Sequence, residues 1–299
     1  MIKVGLDQRI TNPVAMVRYL IKHPDVDLVW IYNGGKTAPV AETLPALTGD
    51  CSLSAVAEPQ WGGIDLYIGP GAPGLEEAFL VNDSLKVIFT TDSAEIRNSL
   101  AAPAEIGLAE FNRKALVRGA RVAYQPDVYT MLGALALMPL ARNLLLGDGI
   151  TGLMKLRSDN SAISPSPTPI ADNLLQPLRS QVLGVLQTSF SAPLKFERLA
   201  DSMTVVYANV SVPTKMNFDD LLKIYHDFYD DHRHIVLLDS VDICPEMVQG
   251  TNKTILSLSL AEDGRLNVKI EFDSLYKCGA GNALHLLNLL FGLDERIGF

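Results

Sequence analysis

Three kinds of residue in this chain have the chemistry to carry a reaction: thiols, a histidine cluster beside acids, and a glycine-rich loop before a helical pattern. Cys51, Cys244 and Cys278 lie in separate segments, none at a Cys-x-x-Cys or Cys-His spacing, so they read as three unconnected thiols. The run "HRH" (232–234) follows Asp230 and Asp231, a set able to capture a metal. It stands, however, at the end of the helical pattern "NFDDLLKIYHDFYDD" (217–231), where imidazoles complement the negative end of the helix dipole, and no metal site is expected. "IGPGAPGLEE" (68–77) ends a strand and opens a helix, so its amides either bind an anion or small acid or make a tight turn. The first strand-to-helix turn stands out for what it lacks. A dinucleotide-binding unit needs G-x-G-x-x-G there so that backbone amides approach a pyrophosphate. Here Gly5 is followed by Leu6, Asp7, Gln8, Arg9, Ile10, Thr11, Asn12 and Pro13, and Thr11 or Asn12 can cap a helix with Pro13 in its first turn.

The elements that must position these residues follow from apolar periodicity. "IKVGL", "VDLVWIY", "IDLYIG" (64–69) and "LKVIFTT" (85–91) are buried strands, separated by helical "VAMVRYLIKH" and "PGLEEAFLVN". That alternation predicts a doubly wound α/β sheet over roughly the first 120 residues. "RVAYQPDVYTMLGALALMPLARNLLLGDG" (121–149) is strand, turn and long helix, leading into a second domain. There "ITGLMKLRS", "KFERLA" (195–200), "MTVVYANVSV" (203–212), "KTILSLSLA" (253–261) and "RLNVKIEFD" (265–273) are strands, most of them alternating with period two, and "DNLLQPLRSQVLGVLQ" (172–187) is a helix. The fold class is therefore α/β, a Rossmann-like doubly wound domain, followed by an α+β domain with a mainly antiparallel sheet.

At 299 residues, 48% hydrophobic and 20% charged, the chain is long enough for two cored domains. A net charge of −9 argues against a nucleic-acid groove or an anionic membrane surface as partner. The most apolar stretch, "MLGALALMPLARNLLL" (131–146), is interrupted by Pro139 and Arg142 before it reaches membrane length. With no leader pattern at the start and no disulfide framework, a reducing cytoplasm is expected.

The order of these pieces resembles the N-acetyl-γ-glutamyl-phosphate reductase family, relatives of aspartate-semialdehyde dehydrogenase. The similarity is carried by "IKHPDVDLV" (21–29), "IGLAEFNR" (106–113), "LALMPLARNLLL" (135–146), "VQGTNK" (248–253) and "DSLYKCGAGNALHLLNLLFGLDERIGF" (273–299). It implies residues 1–123 as the Rossmann-like domain, joined by a returning terminal helix within 279–299, and residues 124–278 as the α+β domain that supports oligomers. It further implies reduction of an acyl phosphate with NADPH, in which a cysteine thiolate displaces phosphate, hydride reduces the thioester and a histidine is acid/base.

The residues that match these parts depart from the pattern. The family's glycine-rich turn corresponds to Leu6–Pro13. Its nucleophilic cysteine falls in "YQPDVYT" (124–130), on Asp127 or Val128 depending on which flank sets the count, and neither forms a thioester. The His-x-His-x-Pro pattern corresponds to "SPSPTPIADN" (164–173), where Thr168 and Pro169 hold the frame without either histidine. A substrate-binding arginine is replaced by Glu95 in "FTTDSAEI" (89–96), a charge reversal opposite an anionic group.

The expectation is a catalytically inactive homologue, without a predicted cofactor, that acts as a binding, regulatory or scaffold protein. A homo-oligomer or an association with an active reductase relative is implied by the resemblance, as is a link to arginine biosynthesis. The alternative is an NADP-dependent reductase with a rearranged site, for which Cys278 is the thiol nearest a family site loop. The candidate ligand cleft comprises Gly69 and Gly71 of the Gly/Pro loop, together with Tyr129, Asn252 and Lys277, placed by the resemblance.

Overall fold

The computed structural model describes residues 1–91, 95, 98–157, 166–239 and 243–299. They divide into two compact units, Met1–Asp127 with Cys278–Phe299, and Val128–Lys277. Most of 92–97 and all of 158–165, which hold parts of the stretches aligned above with the substrate arginine and the histidines, lie outside the described residues. No helix among the described residues is long and apolar enough to cross a membrane.

The first unit is built on strands β1 (Ile2–Asp7), β2 (Val26–Tyr32), β3 (Ala38–Pro39), β4 (Ser54–Val56), β5 (Leu66–Gly69), β6 (Lys86–Phe89), β7 (Ala104–Ile106) and β8 (Val122–Tyr124). Among the described residues their order is β3-β4-β2-β1-β5-β6-β8-β7, parallel throughout except for the β3–β4 pair. Strands such as β5 and β6 are almost wholly buried, which is why they read as continuous apolar runs rather than alternating ones. The two- and three-residue strands β3, β4 and β7 have no periodicity to detect and were not anticipated.

Helix Pro13–Lys22 follows β1 and buries Ala15, Met16, Val17 and Leu20. Of the two candidate caps it is Asn12 that acts, in a left-handed conformation (φ 59°), accepting a hydrogen bond from the Ala15 amide at 3.3 Å. The terminal helix Ala280–Leu290 is buried along its whole length. His23 Nδ1 accepts from the Asp25 amide at 3.1 Å, so the proton sits on Nε2 and is donated to Asn288 Oδ1 at 3.0 Å. His285 meets Glu295 at 2.6 Å, and Glu295 also pairs with Arg113.

The second unit carries β9 (Thr151–Arg157), β10 (Thr168–Pro169), β11 (Lys195–Asp201), β12 (Val205–Pro213), β13 (Ile235–Leu238), β14 (Thr254–Leu260) and β15 (Arg265–Asp273). Their order is β10-β11-β9-β12-β15-β14-β13. The long central pairs are antiparallel, and β11–β9 and β13–β14 are parallel, so the sheet is mixed. Alternate residues Val206, Ala208, Val210 and Val212 of β12 and Leu266, Val268, Ile270 and Phe272 of β15 form the buried face.

Helix Val128–Arg142 accommodates Pro139 in its interior. A proline there cannot donate to the carbonyl four residues earlier, Leu135. The Tyr229 hydroxyl, from helix Phe218–Tyr229, donates to that carbonyl at 2.5 Å, and Tyr225 donates to the next, Ala136, at 2.6 Å. The expected single helix over 172–187 is instead an α-turn Asp172–Pro177, a wider π-segment Leu178–Leu183 and a short turn Gly184–Leu186. The change of register begins at Pro177, which has no amide to continue the α ladder.

Candidate functional site

In an open parallel sheet the ligand crevice lies outside the carboxyl ends of two neighbouring strands whose connections run in opposite directions. Here those strands are β1 and β5, ending in Asp7 and Gly69. Asp7 is fully buried, and its carboxylate is held by Arg9, with Nε 2.9 Å from Oδ1 and Nη2 2.5 Å from Oδ2. The Arg9 amide also donates to Oδ1 at 2.9 Å, and the Tyr67 hydroxyl reaches Oδ2 at 3.3 Å. From this position the guanidinium donates to the Gly71 carbonyl at 2.8 Å and lies 5.1 Å from the centre of the Tyr32 ring. The hydrogen bond to Asp7 raises the guanidinium pKa further, and burial followed by the Asp7 charge raises that of the Tyr67 phenol. Both groups keep their protons and act as fixed donors.

The Gly/Pro loop is drawn into the same network. The Gly71 amide donates to the Tyr67 hydroxyl at 3.2 Å, while the Pro73 carbonyl accepts from Trp61 at 3.0 Å. The helix that follows, Leu75–Val81, starts from Gly74 (φ 77°) and carries Glu76 and Glu77 in its first turn. Its positive end thus already has carboxylates beside it. A Cβ on Gly69 would stand 2.3 Å from the Tyr67 hydroxyl and 2.5 Å from Asp7 Cβ, so this glycine is required by the packing of the network.

Gly5 has a similar explanation. It pairs with Trp30 on one side and Tyr67 on the other, and a Cβ there would lie 2.2 Å from the Trp30 ring. The glycine lets two large rings share one face of three adjacent strands, and Trp61 packs on both, at 5.7 Å from Trp30 and 5.3 Å from Tyr67.

At the junction from β8, Gln125 and Pro126 are buried, Asp127 and Val128 are half-buried, and helix Val128–Arg142 begins at once. Gln125 donates to the Gly279 carbonyl at 2.7 Å, which ties the junction to the terminal segment of its own unit. None of the three cysteines is in a disulfide, and all three are partly exposed. Glu246 beside Cys244 pushes that thiol up, away from the thiolate form. His232 stacks near Phe228 and Tyr229, and no group of three or more metal-ligating side chains occurs among the described residues.

The structure places Gly69 and Gly71 in the first unit and Tyr129, Asn252 and Lys277 in the second. Tyr129, in the first turn of its helix, accepts from Arg198 at 3.1 Å. Asn252 is 3% exposed, with neither end of its amide hydrogen-bonded, and Lys277 has no solvent exposure. Glu95 is exposed. Sequence reasoning missed Asp7, Arg9 and Tyr67. The signal was an acid closing an apolar strand, with an arginine two residues on, at the turn where glycines were sought.

No family model matches the chain. Curated relatives named N-acetyl-gamma-glutamyl-phosphate reductase are similar to it over 95% of its length: 27% identical in Phocaeicola vulgatus and 25% in Parabacteroides distasonis, with 92% of each relative covered. The reductase of Flavobacterium johnsoniae is 26% identical, with 93% of it covered. Among solved structures, aspartate semialdehyde dehydrogenase II of Vibrio cholerae, complexed with ASA, superposes with a TM-score of 0.71 at 14% identity, covering 98% of both chains. A probable aspartate-semialdehyde dehydrogenase of Pseudomonas aeruginosa gives 0.65 at 14% identity, covering 97% of this chain and 98% of that one. By sequence the chain is thus related to the N-acetyl-γ-glutamyl-phosphate reductases along nearly its whole length, and it folds as the aspartate-semialdehyde dehydrogenases do.

Proposed function

We propose that this chain is a catalytically inactive homologue of N-acetyl-γ-glutamyl-phosphate reductase that works by binding, as a regulatory or scaffold protein beside arginine biosynthesis in the cytoplasm. The observation that carries the reading is the β8-to-helix junction. Asp127 and Val128 occupy the place where the resemblance puts a nucleophilic thiol, and a carboxylate or an alkyl group cannot form the thioester that hydride would reduce.

The switch point supports the same reading. A pyrophosphate needs free backbone donors and a positive or neutral surface. Here the crevice presents a buried Asp7 carboxylate, its arginine committed to that carboxylate and to the Gly71 carbonyl, and a turn in which every residue after Gly5 carries a Cβ. These residues do not fit a dinucleotide bound through a glycine turn. The binding role includes self-association or pairing with an active reductase, which light scattering and co-purification would measure.

Calorimetric titration with NADPH and NADP+, alongside an assay of NADPH oxidation with acyl phosphate, tests the proposal. No saturable heat and no turnover by folded protein are expected. Saturable micromolar binding with turnover would overturn it in favour of an NADP-dependent reductase with a rearranged site, and Cys278 would then be the first thiol to label.

A further inference from the structure

The sheet of the second unit carries a cavity of about 600 Å³, a size that suits a small molecule, and every residue lining it belongs to that unit. Along β9, β11 and β12 alternate residues point to opposite faces, and Met154, Phe196, Ala208 and Val210 are among those turned into the core. Thr151, Leu153, Lys195, Glu197, Asn209 and Ser211 have the opposite parity and line the cavity. Thr151, Lys195 and Glu197 are exposed, so the cavity is reached from solvent.

Strand pairing sets these side chains in two rows. One runs Lys195–Thr151–Ser211; the next, two residues along, runs Glu197–Leu153–Asn209, with Pro169 beside Glu197. Two residues of strand separate the rows by about 6.7 Å.

The first row is cationic. The Lys195 side chain has no hydrogen-bond or ion-pair partner among the described residues. At the other end of the row the Arg265 guanidinium donates from Nε to Ser211 Oγ at 2.8 Å, and from Nη2 to the Gly149 and Ser211 carbonyls at 2.7 and 2.9 Å and to Thr151 Oγ1 at 3.3 Å. All four acceptors are neutral, so Arg265 is anchored without a carboxylate to offset its charge.

The second row offers acceptors. The Glu197 carboxylate is likewise without a partner among the described residues. Asn209 is half-buried, and its Oδ1 is closed to solvent and unpartnered. Rotation about the last side-chain bond exchanges the two ends of the amide, so Asn209 presents either a donor or an acceptor to the cavity. Between Glu197 and Asn209 lies Leu153, and with Pro169 it makes an apolar floor. A molecule that satisfies both rows joins an anion to a cation on one short frame, as the head group of an α-amino acid does, and sets an apolar side chain on that floor.

We propose that this cavity binds a free α-amino acid with an aliphatic side chain, its carboxylate facing Lys195 and the charge of Arg265, its ammonium facing Glu197 and Asn209. The site goes beyond the inactive reading and is independent of it, because none of its residues is among those matched to the nucleophile or to the dinucleotide turn.

The test is calorimetric titration of the full chain with L-leucine and with its two halves, 4-methylpentanoate, which lacks the ammonium, and 3-methylbutylamine, which lacks the carboxylate. Saturable binding of L-leucine is expected, with each half at least tenfold weaker. Lys195→Met should erase the advantage of L-leucine over 3-methylbutylamine, and Glu197→Gln its advantage over 4-methylpentanoate. Both residues are exposed, so both variants should keep the thermal midpoint of the unmodified chain. The proposal is overturned if L-leucine gives no saturable heat, if either half binds as tightly as the whole, or if binding survives both substitutions. A chain that gives no heat with L-leucine, and whose self-association in light scattering is broken by Lys195→Glu, would assign this face to a second copy and overturn the proposal as well. NADPH titration of the same samples keeps the two readings apart: binding of NADPH with turnover fails the inactive reading alone, and silence toward L-leucine fails this one alone.

Discussion

Arg9 folds back on Asp7, two residues upstream, and grips its buried carboxylate through both oxygens at the mouth of the sheet's switch point. Breaking a buried ion pair from one side leaves an uncompensated charge, a loss of about 3–5 kcal/mol when water is excluded. The Arg9 side chain is 45% exposed, and Tyr67 remains bonded to Asp7, so Arg9→Met should cost less, about 1–3 kcal/mol. Urea unfolding should show the double variant Asp7→Asn/Arg9→Met to be more stable than the sum of the single losses. Additive losses would mean that the two residues act independently.

Tyr229 and Pro139 make a second testable pair. Tyr229→Phe leaves the Leu135 carbonyl buried without a donor, an expected loss of about 1–3 kcal/mol. Pro139→Ala restores an amide four residues from that carbonyl, so the loss on removing the Tyr229 hydroxyl should shrink by at least half in the alanine background. Chemical denaturation of the four proteins in this cycle measures the coupling.

Glu271 has one carboxylate oxygen buried without a partner. Burial, then the nearby Glu246 charge, raises its pKa, against the opposing pull of Lys155 and Lys269. The folded state therefore holds this proton more tightly than the unfolded chain. The associated stability is fully present below the ordinary glutamate pKa and is lost as pH rises through the raised folded value. Glu271→Gln should match the unmodified chain near pH 4 and exceed it at pH 7, by on the order of 1 kcal/mol for one relieved buried group. An advantage that is equal at both pH values would rule out titration of Glu271 as its source.

On the proposed inactive reading, a thiol placed at the junction should not by itself make the chain a reductase. Asp127→Cys and Val128→Cys each place a nucleophile at the matched position, yet the switch-point turn still carries Asp7 and Arg9 in place of a glycine cradle. NADPH oxidation with an acyl phosphate is expected to stay at background in both variants. The introduced thiol should still react with a labelling reagent, since both positions are half-buried rather than sealed. Turnover by either variant, absent from the unmodified chain, would make the missing nucleophile alone the ground of the inactive reading.

The alternation of apolar strands and helices, the long helix after "RVAY" and the period-two strands of the second unit are local patterns, and the sequence by itself determined them. It also determined the resemblance to the reductases and the want of a cysteine at Asp127 or Val128, because residue identity needs no coordinates. What only the tertiary structure decided are relations between distant residues. Gly5 resembles a remnant of a phosphate turn until the register sets it opposite Trp30, whose ring occupies the space of its missing Cβ. Asp7 and Arg9 are unremarkable neighbours until β5, sixty residues on, brings Tyr67 and the Gly71 carbonyl to them. Pro139 looks like a helix breaker until Tyr229 takes over the carbonyl it leaves open. In each case the deciding quantity is sheet order, register or burial, fixed by long-range packing, whereas periodicity reports only which way a side chain points along its own segment.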